Sequence, residues 1–150
     1  MKTGRIVACF PCSGKTHFVL NNWRTCNCID FDFYDWMYMG QLGDKWLTEY
    51  LDRMKQLSRY FDFVYINATP EILERIYINS IIIYPKRELK EEWLRRAIKR
   101  GGETDFPKLL EEKWNYWITV CQAWEGKKYQ LDSGEYVSDI YKRICSLTTN

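Results

Sequence analysis

The sequence predicts an α/β protein with a parallel sheet of about five strands and helices packed on both faces. Three observations carry that prediction. Short apolar runs of strand length alternate with longer segments whose apolar residues recur at helical spacing. The first run, Arg5 to Phe10, opens into Pro-Cys-Ser-Gly and at once into a helix, as a buried parallel strand does at its carboxyl end. The chain has 150 residues, 46% of them hydrophobic and 17% aromatic, enough for one core and short for two. Residues 1–150 are therefore read as a single domain.

After the first strand a helix is expected from near Lys15, and Cys26 to Asp30 reads as a second short strand followed by the acidic aromatic stretch Asp30-Phe31-Asp32-Phe33-Tyr34-Asp35-Trp36. From Asp44 onward Trp46, Leu47, Tyr50, Leu51, Met54 and Leu57 mark an amphipathic helix. Phe61 to Asn67 is strand-like. Thr69-Pro70 suits a helix start, with Thr as cap and Pro in the first turn, and that helix is expected to reach about Tyr77. The Ile-rich run Ser80 to Tyr84 reads as a buried strand ended by Pro85, which lacks an amide donor. Helices over Arg87 to Arg100 and Phe106 to Trp124 follow, parted by Gly101-Gly102. Lys128 to Leu131 predicts a last strand. Asp132, with Glu135 three residues on, resembles a capping box opening a helix whose apolar stripe is Tyr136, Val137, Ile140, Tyr141 and Ile144.

The composition excludes several classes. A chain this rich in apolar and aromatic residues is not disordered. With 28% charged residues but a net charge of only +2, no global field marks it for nucleic acid. Its most apolar run, Ile81 to Tyr84, is far below membrane-spanning length, and no long apolar stretch follows the first Lys, so a cytoplasmic protein is expected. Cys9-x-x-Cys12 and Cys26-x-Cys28 cluster four of the six cysteines, but strand and loop placement favours plain buried thiols over zinc.

The strongest chemical signal is Cys9-Phe10-Pro11-Cys12-Ser13-Gly14-Lys15-Thr16 at the junction of strand and helix. Amides of such a loop, Pro11 to Thr16, converge on phosphate oxygens, the helix N-terminus adds positive potential, Lys15 neutralises the outer phosphates and Thr16 can ligate magnesium. The pattern's first Gly is Cys9 here, and Cys12 stands where many kinases carry Gly; each adds bulk near the phosphate path.

On these residues the chain resembles the P-loop nucleotide and small-molecule kinases, small phage-type deoxynucleoside monophosphate kinase-like proteins above all, whose loops read Phe-Pro-x-x-Gly-Lys-Thr/Ser. The resemblance spans nearly the whole chain. It rests on Phe10 to Thr16, on Ile29-Asp30-Phe31-Asp32, on Tyr84-Pro85-Lys86-Arg87-Glu88-Leu89-Lys90 and on the arginine-rich Arg95 to Gly101. It implies the P-loop kinase-like three-layer fold, ATP and Mg2+ as cofactors, and host cytoplasm as the location if a phage encodes the chain.

In shikimate-kinase-like and polynucleotide-kinase-like relatives, acidic residues after the second strand serve magnesium and the acceptor hydroxyl, and Asp30 and Asp32 match that place. An extended segment would point both the same way. Tyr65-Ile66-Asn67 ends in an amide where a second magnesium carboxylate is usual, which shifts the metal task to Asp30. Asn67 and Thr69 read as turn and cap residues, and His17 as a packed or exposed helix residue. Phe31, Phe33, Tyr34 and Trp36 read as core, with base stacking as the functional alternative.

Residues 86–102 read as a mobile lid. Leu89, Trp93, Leu94, Ala97 and Ile98 would form its apolar stripe, flanked by Arg96 and Arg100 as inward phosphate clamps, while Arg95 and Lys99 stay solvated. Arg87, just past a strand end, is a candidate substrate residue. The leading expectation is an ATP- and magnesium-dependent nucleoside or deoxynucleoside monophosphate kinase. A hydroxyl-directed kinase with Asp32 as base is the runner-up, its acceptor a polynucleotide end, a nucleoside or a small metabolite. A nucleotide-binding regulator presenting an exposed tryptophan patch is the third reading. Nucleic acid enters only as an end-phosphorylation substrate, no membrane partner is expected, and the oligomeric state is left open.

Overall fold

A computed structural model of the protein describes residues 4–31, 45–101 and 105–145. The strands are β1 (Arg5–Cys9), β2 (Cys28–Asp30), β3 (Phe63–Asn67), β4 (Ile81–Pro85) and β5 (Lys128–Leu131). The helices are α1 (Lys15–Cys26), α2 (Lys45–Leu57), α3 (Pro70–Leu73), α4 (Lys90–Arg100), α5 (Phe106–Gln122) and α6 (Val137–Cys145), with a 3-10 turn over Arg87–Leu89.

The five strands form one sheet in the order β2-β3-β1-β4-β5, and every pairing is parallel. β1 is central. Its register sets Val7 beside Tyr65 and Ile81, and Cys9 beside Asn67 and Ile83. All residues of β3 and β4 are buried, so both faces of the sheet are covered. On one side Phe18 of α1 meets Tyr65 of β3 and Tyr141 of α6, at ring separations of 5.4 and 5.3 Å. Phe10, continuing β1, makes edge contacts with Trp114 and Trp117 of α5 at 5.4 and 6.1 Å.

This order positions the site. From β1 the chain runs through α1 to β2 on one side, whereas from β4 it runs to β5 on the other. The crossover from β3 to β4 leaves toward that second side too, so a crevice opens beyond the carboxyl ends of β1 and β3, the usual seat of a ligand in an open parallel sheet.

Some boundaries differ from the sequence expectation. α3 is a single turn, tightened at its end by the Arg75 amide donating to the Ile72 carbonyl (3.0 Å), so the helix stops short of Tyr77. The Asp132–Glu135 pair closes a local turn, its Asp132 amide donating to Glu135 Oε1 (2.7 Å), but Gly134 at φ 77° interrupts the helix there. The reciprocal bond instead forms four residues on, where the Tyr136 amide donates to Asp139 Oδ2 (2.7 Å) and α6 begins. Pro85 ends β4 beside Leu131, as its missing donor requires. No described helix is long and apolar enough to cross a membrane.

Trp114 is 1% exposed and its indole N–H donates to the Arg87 carbonyl (3.0 Å). Trp114→Ala should cost about 3–5 kcal/mol of stability, while Tyr60→Ala, at a position 76% exposed, should change it by less than about 0.5 kcal/mol. Urea unfolding of the two variants measures both. Equal effects would show that the Phe10–Trp114 contact is not a keystone of the core.

Candidate functional site

The loop after β1 is shaped by its backbone. Phe10 remains tied to the sheet through its amide, which donates to the Ile83 carbonyl (2.8 Å). Cys12 (φ 65°) and Gly14 (φ 85°) then take left-handed conformations, folding the chain back to start α1 at Lys15. Gly14 suits this place twice over: it tolerates the positive φ, and a Cβ there would stand 2.9 Å from Cδ1 of Tyr136. α1 has no side-chain cap and no acidic residue in its first turn, so its positive end is not neutralised from its own sequence.

Two other elements, α4 and the start of α6, grip the loop through three donors. The Trp93 Nε1–H donates to the Pro11 carbonyl (3.0 Å), Arg96 Nη1 to the Cys12 carbonyl (3.2 Å) and the Val137 amide to the Ser13 carbonyl (2.9 Å). In a planar trans peptide the carbonyl and the following N–H point in opposite directions. Holding these consecutive carbonyls outward therefore turns the amides of Cys12, Ser13 and Gly14 inward, the arrangement of an anion-binding nest.

Arg96 is the hub of this grip. Its guanidinium lies between the rings of Trp93 and Tyr136, 3.8 and 3.9 Å from their centroids. It also donates to the Glu135 carbonyl (2.8 Å) and to Glu92 Oε2 (3.2 Å). Glu92 in turn accepts from the Ser133 hydroxyl (2.6 Å) and the Gly134 amide (3.1 Å), so the turn between β5 and α6 is fastened to α4. These donors, the Ser133 hydroxyl foremost, hold the Glu92 carboxyl below its ordinary pKa.

Beneath the loop, Lys15 is buried and ion-paired with Asp30, the last residue of β2. The Thr16 hydroxyl donates to the other oxygen of the same carboxylate (2.7 Å). A cavity of about 510 Å³ lies over the loop, walled by residues 10–17 and by Asn67, Arg96, Lys99, Arg100 and Tyr136. Burial pushes the Cys9 thiol up to about 12 and raises the Cys12 thiol as well, the latter against the pull of Arg100, which reaches its sulfur, and of Arg96. The added bulk at position 9 is fully buried outside the cavity wall, whereas Cys12 lines it.

Pro11, Cys12, Ser13, Gly14, Lys15, Thr16, Asp30, Arg96 and Arg100 are thus brought to one place, all but Asp30 lining the cavity and Asp30 holding Lys15 and Thr16. Asp32 lies outside the described residues, as do Phe33, Tyr34, Asp35 and Trp36. Phe31 stacks on Tyr50 at 4.6 Å, within the core's margin. Arg87 is not at the cavity. Its guanidinium donates to Asn115, Thr119 and Gln122 of α5, acceptors near the carboxyl end of that helix that suit a cation.

Lys99, expected in solvent, lines the cavity, and Ile98, expected in the stripe, is 67% exposed. Residues three and four apart share a helix face, so the rotation that turns Arg96 inward carries Lys99 and Arg100 with it. The segment expected as a lid is docked through Trp93, which is fully buried. The parts that sequence reasoning missed are Glu92, the turn it fastens and the cavity face of Tyr136; only the Asp-x-x-Glu spacing hinted at an ordered turn there. No protein-family model matches the chain, and no curated protein matches it.

Because Glu92 is depressed when folded, its contribution is present above the ordinary carboxylate range and is lost as pH falls through its folded value. Wild type should exceed Glu92→Gln in stability at neutral pH, and the two should converge on acidification. Chemical denaturation between neutral and strongly acidic pH checks this; a gap independent of pH would refute the ionic fastening.

Proposed function

We propose that this protein is an ATP- and magnesium-dependent phosphotransferase whose acceptor is itself an anion, a nucleoside or deoxynucleoside monophosphate. The observation that carries the reading is one cavity lined by the loop residues and Lys15 together with Lys99 and Arg100. Such a distribution of charge suits a polyphosphate chain held at one end by the loop and met at the other by helix cations. The strand order, the left-handed loop and its Gly-Lys-Thr entry to α1 support a P-loop kinase-like fold.

The donors present fit magnesium. Thr16 and Asp30 offer one hydroxyl and one carboxylate, few for a free-standing metal site but suited to an ion that keeps waters and shares phosphate oxygens. When bound, the ion would neutralise charge on the outer phosphates. Lys15, now paired with Asp30, would exchange that carboxylate for a phosphate. Transfer would then rest on alignment and charge neutralisation, with little covalent chemistry required of the chain.

Arg96 serves this reading by position. Its hydrogen bonds go to loop and turn carbonyls, so it shapes the phosphate nest, while Lys99 and Arg100 address the transferring group.

A transfer screen with ATP and magnesium against nucleosides, nucleotides, short oligonucleotides and metabolites tests the proposal. Phosphorylated monophosphates are the expected products; products on hydroxyls would favour the runner-up, and nucleotide binding without product a regulator. Lys15→Ala should abolish transfer. Lys99→Ala and Arg100→Ala should each lower kcat about tenfold or more with a smaller change in ATP affinity, Arg95→Ala should be neutral, and Arg96→Ala should lose stability along with activity. Steady-state kinetics and thermal melts separate these outcomes, and uniform mild effects across the helix would exclude it from the chemistry.

A further inference from the structure

β3 ends at Asn67, which is 8% exposed and lines the cavity. Alternation sets Phe63, Tyr65 and Asn67 on one side of the strand, and Tyr65 packs against Phe18 of α1 on that side. Asn67 therefore stands one step farther along, over the turn from which α1 springs. Its register partner is Cys9, so it borders the loop where the loop leaves the sheet. The Ala68 amide, donating to the Cys9 carbonyl (2.9 Å), holds the two strand ends together.

The sequence assigns Asn67 and Thr69 to turn and cap duty, yet neither side chain does it. The Thr69 hydroxyl is buried without a partner, and the residue caps α3 with no side-chain bond. The Asn67 carboxamide makes no hydrogen bond with any described residue. The amide opens onto the cavity, where water or a ligand can satisfy it. A second polar group of the cavity wall, the Ser13 hydroxyl, is likewise buried without a regular hydrogen bond.

We propose that Asn67 is a ligand-contact residue that donates its side-chain N–H to the terminal phosphate of a bound nucleoside triphosphate. This deepens the phosphotransferase reading and rests on it. A neutral amide can approach a phosphate oxygen directly, whereas a carboxylate at this place would repel it unless a cation stood between. A phosphate held by the loop amides would leave the next one toward the end of the neighbouring strand, where Asn67 lies.

The test compares wild type, Asn67→Ala, Asn67→Asp and Lys15→Ala by calorimetric titration with magnesium–ATP, magnesium–tripolyphosphate and magnesium–ADP, alongside melting of the unliganded proteins. Asn67→Ala should melt close to the wild-type temperature, bind both triphosphate probes about tenfold more weakly and bind ADP within twofold of wild type. In a parallel titration with magnesium-free ATP, where no cation can stand between, Asn67→Asp should lose more triphosphate affinity than Asn67→Ala. A destabilised or unfolded Asn67→Ala, or equal losses for ATP and ADP, overturns the assignment. So does unchanged ATP affinity in Asn67→Ala while Lys15→Ala loses it, and that result leaves the phosphate loop standing. Triphosphate binding that survives Lys15→Ala, or is absent from wild type, instead overturns the phosphate-loop reading and this inference with it.

Discussion

Everything proposed for the site depends on the outward fastening of the Pro11, Cys12 and Ser13 carbonyls by Trp93, Arg96 and Val137. A loop with two left-handed residues, one of them not Gly, is not a backbone conformation the chain would hold unaided. Each anchor satisfies a carbonyl, and because peptide units are rigid, each also sets the direction of the next amide. The nest is thus an outcome of tertiary packing imposed on a short sequence motif.

That packing follows from where the sheet places its helices. Crossovers that leave β1 and β3 in opposite directions open the crevice, α4 docks on the loop through the buried Trp93, and the turn before α6 is fastened to α4 by Glu92. Arg96 couples these two elements by lying between an α4 ring and an α6-end ring while bonding carbonyls of both the loop and the turn. A Lys at position 96 would supply the charge without the planar stacking or the forked donors.

Much of this was legible in the sequence because it is local. Strand β5 and the buried residues of α2 follow from periodicity, and Lys15, Thr16 and Asp30 converge as the strand-turn-helix pattern and the acidic end of β2 suggest. What escaped was set by distant partners. Arg87 is taken by three side chains of α5, and the rotation of α4, fixed by Trp93, leaves Ile98 in solvent and brings Lys99, itself exposed, to the cavity rim. Tyr136 counted as an apolar stripe residue, but Gly134 moves the helix start so that its ring covers Gly14 and Arg96 instead. The tryptophan arrangement bears on the regulator reading too: Trp93 and Trp114 are buried, Trp46, Trp117 and Trp124 are half-buried, and among those described only Trp23 is largely exposed.

The fastening of the loop also has a temporal side. The loop leaves the ribosome well before its anchors, which lie 82 and 84 residues downstream at Trp93 and Arg96, and farther still at Val137. Contacts of such long sequence separation form late, since much loop-closure entropy must be spent first. A nascent chain carrying the whole Gly-Lys-Thr motif would thus have no organised anion pocket until the start of α6 had emerged. Ligand binding would then report that these distant anchors are in place, and nucleotide present during synthesis would stabilise chains that have reached that stage rather than guide earlier intermediates.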